Sequence, residues 1–226
     1  MAAASDILAS VITPSRGDRP RALAQAGRSL DAAVARAVAQ GRVRPGQVQW
    51  LVGFDGVKGL RPEVDTPATF VDFPRSGNFG NRIRDSLIKL AAGSRLLFLD
   101  DDNALTDNAL TSFLGHMDAE MVIARIDVSR AFDIPLLPRP GNAQDAVRQG
   151  NIDPLCLCLS RELVTGPGRG WSGEGGYESD FLNIRRYFRR ARSWVILEDV
   201  VGVYDAGRGL DPEGMNERQK GKPAKK

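Results

Sequence analysis

The segment RLLFLDDDN constrains this chain more than any other. Leu96 to Leu99 is a continuous apolar run, as expected of a strand covered on both faces. Asp100, Asp101 and Asp102 follow it without a spacer. In an open α/β sheet, ligands bind outside the carboxyl ends of the strands, which is where these acids would emerge. Three adjacent carboxylates repel one another, and capping the start of a helix does not call for three. A hard divalent cation such as Mn²⁺ or Mg²⁺ relieves the repulsion because it prefers oxygen ligands, and it completes its shell with water and substrate phosphates.

The rest of the chain alternates strand-like and helix-like patterns, which predicts an α/β layered fold. Ile7 to Thr13 reads as a β-branched strand stopped by Pro14. Asp18 is positioned to cap a helix that begins near Pro20 and ends at Gly41. Val48 to Phe54 forms a second strand closed by Asp55-Gly56, and Thr69 to Phe73 a third. Ile83, Leu87, Leu90 and Ala91 recur at helical spacing after Asn78 or Asn81. Beyond the aspartates come a helix signal at Thr106, the strand-like MVIARI and LCLCLS, and a glycine-rich stretch from Gly166 to Gly176. A helix over Tyr177 to Arg190 and one or two strands in WVILEDVVGVY complete the pattern. No internal repeat and no dividing linker is present, so 226 residues predict a single domain.

Composition excludes several alternatives. With 42% apolar and 26% charged residues the chain is neither disordered nor fibrous. No apolar run reaches the roughly 20 residues of a spanning helix, and MAAASDILASVITPS lacks the basic start of a signal peptide. A net charge of +3 is too mild to indicate nucleic acid. Four of the six lysines lie in the last seven residues, which predicts a flexible basic tail over 213–226, able at most to make weak contact with an anionic membrane surface. Cys156 and Cys158, two apart, should share one face of a strand as small buried residues, and free thiols fit a reducing cytoplasm.

Two further groups carry chemistry. Glu178-Ser179-Asp180 follows GEGGY at a helix start; helix-dipole compensation accounts for acids there, and so does a general base beside a glycine-rich segment that can close over a substrate. Asp55, a turn residue in isolation, would lie on the same rim as the aspartate triplet. His116, the single histidine, falls in the helix after the triplet and reads as a surface residue.

In this order and spacing, ILASVITPS, VQWLVGFDG, RLLFLDDDN and GYESDFLNIRRYFRR resemble the family 2 glycosyltransferases of GT-A type, over about residues 7 to 204. The resemblance implies one GT-A-like, Rossmann-like domain over 1–212, with a mixed, mostly parallel sheet flanked by helices. It implies a metal-dependent enzyme that binds a nucleotide sugar, usually a UDP-sugar, and transfers the sugar with inversion to an acceptor hydroxyl. By the same resemblance Pro14, Ser15, Arg16 and Asp55 hold the nucleobase and ribose, and Asp100-x-Asp102 is the DxD motif. Asp102 is then the direct ligand of Mn²⁺ or Mg²⁺, Asp100 supports the ribose or metal waters, and Asp101 completes the acidic lip. Asp180 takes the acceptor proton, with Glu178 as the alternate, and Arg82 offers a nucleotide or phosphate contact. Asp205 stands where relatives carry a metal-binding histidine.

A nucleotide-sugar-binding protein of the same fold with little transfer activity is the alternative reading. A haloacid-dehalogenase-type phosphatase, whose nucleophile loop also reads hhhhDxD, is disfavoured by Ala104 and by the motif's distance from the N-terminus. A GT-A nucleotidyltransferase is disfavoured because TPSRGDRP has only one glycine.

Overall fold

A computed structural model describes residues 6–221. Nine strands make one sheet: β1 (Ala9–Ser15), β2 (Val48–Asp55), β3 (Ala68–Phe73), β4 (Arg95–Phe98), β5 (Ala104–Leu105), β6 (Met121–Asp127), β7 (Leu136–Leu137), β8 (Leu157–Ser160) and β9 (Trp194–Val203). The helices are α1 (Pro20–Ala39), α2 (Asn81–Leu90), α3 (Ala109–Leu114), α4 (Ala143–Ala146), α5 (Arg161–Thr165), α6 (Ser179–Phe188) and α7 (Glu217–Lys220). The strand order is β3-β2-β1-β4-β8-β6-β9-β5, with β7 attached to β6. β3, β2, β1 and β4 run parallel, β8 is antiparallel to both β4 and β6, and β6 and β9 are parallel again. The sheet is thus mixed and mostly parallel with flanking helices, as the alternation of patterns predicts.

This order makes the site. The chain builds outward from β1 through β2 to β3, then returns to add β4 on the other side of β1. The direction of winding therefore reverses between β1 and β4, and an open α/β sheet has its crevice at such a switch point. β1 and β4 are buried along their whole length, which is why both read as apolar runs. The register pairs Ile12 with Phe98, so Thr-Pro-Ser at the end of β1 and Leu99-Asp100 at the end of β4 emerge side by side. Thr13 locks that junction: its hydroxyl donates to the Leu99 carbonyl (2.6 Å) and accepts from the buried Trp50 indole N–H (2.8 Å).

α1 covers one face of the sheet through Leu23, Ala26, Leu30 and Ala33, all buried. Asp18 does not cap it. Arg19 stands at the cap position without a side-chain cap bond, and Asp18 pairs instead with Arg16. α2 buries Ile83 and Leu87 of the predicted stripe, but Ile88 takes the place of Leu90, which is exposed, and Ala91 is buried just past the helix end; the helix packs so closely on β2 that a Cβ on Gly53 would lie 2.4 Å from Ile83 Cγ2. WVILEDVVGVY is one strand rather than two, β9. Cys158 lies in β8, but Cys156 ends the short 3-10 turn Pro154–Cys156, so the two are not on one strand face; both thiols are buried and free. Among the described residues no helix is long and apolar enough to cross a membrane.

The chain expected to loosen at residue 213 is folded there. Pro212–Gly214 forms a 3-10 turn, α7 follows, and Gly214 and Gln219 are buried. Lys222, Lys225 and Lys226 lie outside the described residues. The contact between α2 and β2 predicts that Gly53→Ala, which leaves every strand in place, costs about 1–3 kcal/mol by overpacking. Urea unfolding checks this, and an unchanged midpoint would contradict the tight α2–β2 approach.

Candidate functional site

A cleft of about 960 Å³ opens over the carboxyl ends of β1, β2 and β4. Pro14, Ser15, Arg16, Asp55, Asp100 and Asp101 line it, so the predicted nucleotide-side residues converge. Asp102, Asp180, Glu178 and Arg82 are absent from the lining, and Arg82 is exposed. The α2 arginine that serves the site is Arg84, two residues on and 2% exposed. Asp55 lines the cleft, but its carboxylate already accepts the backbone N–H groups of Ser76 and Gly77, which fixes that loop.

The aspartate triplet is divided between two arginines. Asp101 is fully buried, with Oδ2 accepting the Ser15 hydroxyl at 2.6 Å and Oδ1 2.7 Å from Arg19 Nη2. Asp102 sits behind Arg19, paired with its Nη1, and accepts the Gln219 amide at 2.9 Å on the same oxygen, Oδ2. Asp100 Oδ1 meets Arg84 Nη2 at 2.6 Å. Arg84 also lies 3.5 Å from Asp180 Oδ1, donates to the Phe79 carbonyl (3.1 Å) and lies over the Trp171 ring. Farther along, buried Asp205 is paired with Arg218, and Gln219 Nε2 donates to it as well as to Asp102. Burial pushes the carboxyls of Asp101 and Asp102 up, and Arg19 only partly opposes it.

The two acids of Glu178-Ser179-Asp180 face different ways. Ser179 between them is buried and donates its hydroxyl to Asn81 Oδ1 (2.9 Å), which also accepts the Trp171 indole N–H (2.8 Å). That tether turns Asp180 toward Arg84. Asp180 keeps surface exposure, yet its Oδ1 is buried without a hydrogen bond. Burial raises its pKa, Arg84 opposes and Asp100 adds to the rise. Glu178 is exposed and accepts from Gln149 Nε2 at 2.7 Å.

Asp153, which the sequence reading passed over, caps the turn before β8 by accepting the Leu155 N–H (2.9 Å). It retains some exposed surface, but its carboxyl lies deep among protein atoms near Asp100 and Asp180 and is pushed up to about 8. His116 is partly buried in the turn after α3 and absent from the cleft lining. Arg84 had a signal in the sequence, an arginine on the apolar face of an amphipathic helix. Arg19 had another, a cation at a helix N-terminus, where the dipole disfavours it. Arg218 and Gln219 had none.

The donor chemistry suits a hard divalent cation. Five carboxylates (Asp100, Asp101, Asp102, Asp180 and Asp205) stand in ion pairs with three guanidinium groups, an excess of two negative charges when all are ionised. Among the described residues no three His, Cys, Asp or Glu side chains form a ready metal cage. An ion on Asp102 would need its Oδ1, or Oδ2 released from Gln219, with the remaining ligands coming from water and phosphate.

The architecture is a Rossmann-like α/β fold with a mixed, mostly parallel sheet. It is similar to crystal structures of S. aureus TarS: the 1–349 fragment matches with a TM-score of 0.69 and 14% identity over 87% of this chain and 60% of that one. The same fragment in complex with UDP matches with a TM-score of 0.69 and 12% identity, over 88% and 60% of the two chains. In complex with UDP-GlcNAc it matches at 0.69 and 12%, over 88% and 58%. The chain thus spans about 60% of the length of that fragment. It matches no protein-family model and no curated protein sequence.

Asp153 gives the site a measurable pH signature. Its folded value, about 8, lies above the ordinary 3.8 of an unfolded chain, so the folded protein holds an extra proton between the two. Its contribution to stability is complete below pH 4 and is lost as pH rises through 8. Asp153→Asn keeps the capping oxygen and removes the titration. The variant is therefore expected to lose less urea stability than the parent between pH 5 and pH 8; equal losses would contradict the assignment.

Proposed function

We propose that this chain is a metal-dependent glycosyltransferase that binds a nucleotide sugar, most simply a UDP-sugar, and transfers the sugar with inversion to an acceptor hydroxyl. One observation carries the reading: Asp180 sits on the same arginine that anchors Asp100 at the cleft wall, with its Oδ1 buried and accepting no hydrogen bond. A carboxylate with a raised pKa and an unused lone pair suits a general base. The likeness to a protein solved with UDP and with UDP-GlcNAc supports the choice of donor.

In the proposed reaction the acceptor oxygen attacks the anomeric carbon as its proton passes to Asp180. The bond from that carbon to the diphosphate oxygen breaks, and the nucleoside diphosphate leaves with the electron pair. Ser15, Arg16 and Asp55 lie along the wall that would hold the nucleoside. Arg84 fixes Asp100 and Asp180 relative to each other, which keeps the base in register with the donor. Mn²⁺ or Mg²⁺ held by Asp102 with Asp100 would supply positive charge to the departing diphosphate. Glu178, turned outward to Gln149, is the weaker candidate for the base.

Asp102→Ala is expected to remove the Mn²⁺-dependent part of UDP affinity, read by calorimetry with and without the ion. Metal-dependent binding that survives unchanged would remove Asp102 from the ligand set. Asp180→Asn is expected to bind UDP as the parent does while transfer falls by at least about a hundredfold, the scale of general-base catalysis. Transfer at the parent rate would move the base elsewhere, and UDP binding without turnover by the parent itself would favour a binding protein.

A further inference from the structure

Phe79 and Tyr177 are 64% and 80% exposed, far more than most large apolar side chains in this protein. They are not scattered surface residues. Their rings meet edge to face with centroids 6.0 Å apart, joining the loop before α2 to the glycine-rich loop before α6, and both line the cleft. Phe79 has φ +48°, a left-handed conformation that is an outlier for a bulky residue. Such strain persists where the surroundings enforce it, commonly at ligand sites. Arg84 enforces it here by donating to the Phe79 carbonyl while it holds Asp100 and Asp180. Tyr177 stands one turn before Asp180, on a backbone freed by Gly175 (φ +87°) and Gly176 (φ +55°).

We propose that Phe79 and Tyr177 form the acceptor subsite and that the acceptor they receive is a pyranose ring. This rests on the glycosyltransferase reading and adds the substrate class to it. An acceptor hydroxyl must come within hydrogen-bond reach of Asp180, so the rest of its ring lies against the residues flanking that acid. Of the residues close to Asp180 in sequence, Tyr177 lines the cleft. A pyranose carries C–H groups on its faces and hydroxyls around its rim. Its faces pack on the electron-rich faces of aromatic rings, and its rim seeks polar partners. Arg75 and Asn216 line the same cleft and offer polar partners to that rim. Two rings set among polar groups suit one sugar and are too small a patch for a lipid chain.

The test uses the full chain, with methyl β-glycosides of glucose, galactose and N-acetylglucosamine as probes, read by saturation-transfer NMR with and without UDP. At least one glycoside is expected to receive saturation at its ring protons. Tyr177→Ala is expected to weaken that binding about tenfold, Tyr177→Phe to restore it and Tyr177→Leu not to. Phe79→Ala is expected to weaken it as well. UDP affinity, measured by calorimetry, stays unchanged in all four variants. Absence of saturation with every glycoside, or binding that survives Tyr177→Ala, overturns the subsite. A loss of UDP affinity in Tyr177→Ala overturns it too, by assigning the rings to the donor. Failure of the parent to bind UDP defeats the glycosyltransferase reading instead, and the glycoside titrations without UDP still decide whether the aromatic pair takes a sugar.

Discussion

Carboxylates gathered at the end of a buried strand cannot remain together without positive charge, and in this protein the guanidinium of Arg84 is the group on which the arrangement turns. It is almost wholly buried, bridges Asp100 to Asp180, and binds the backbone of the loop that carries Phe79. Breaking a buried pair by removing one partner strands an uncompensated charge, at a cost of about 3–5 kcal/mol. One side chain therefore sets the relative positions of the strand end, the candidate base and the cleft mouth. Arg19 plays the corresponding part for Asp101 and Asp102 and does so from a helix N-terminus that disfavours a cation. The two aspartates offset that penalty.

The residues that order the site are polar and bound far along the chain. Asn81 accepts from both Trp171 and Ser179 and ties the glycine-rich loop to the first turn of α2. Asn183 closes the same loop from inside α6, bonding the backbone of Ser172 in both directions. The loop is thus glycine-rich in its backbone but anchored at its ends, a combination that permits movement over a substrate without losing the alignment of Asp180.

The architecture was legible wherever periodicity reports burial. The apolar run before Asp100, the β-branched run before Pro14 and the helical recurrence of Ile83 and Leu87 each became the type of element they predict, because side chains that alternate or recur at helical spacing have one consistent way to leave water, although Leu90, read into the same stripe, faces solvent. The convergence of Asp55 and Asp100 on one cleft followed from strand ends, while Pro14 and Ser15 were placed there by the resemblance. What periodicity does not encode is which charge meets which. Arg84 rather than Arg82 faces inward because α2 turns its apolar stripe to the sheet and carries the arginine with it. Asp180 and Glu178 diverge because Ser179 between them is spoken for by Asn81, a partner 98 positions away. The segment after residue 212 gave no apolar pattern at all, since it docks through Arg218 and Gln219 onto acids rather than through a hydrophobic face.

That docking separates what holds the fold from what completes the cleft. The nine strands are complete by Val203, so the stretch that docks adds nothing to the sheet. Yet Met215, Asn216 and Arg218 form part of the cleft wall, and Gln219 clasps Asp102 to Asp205. Scaffold and pocket are thus drawn from different parts of the chain: the sheet closes without the segment that walls one side of the binding chamber.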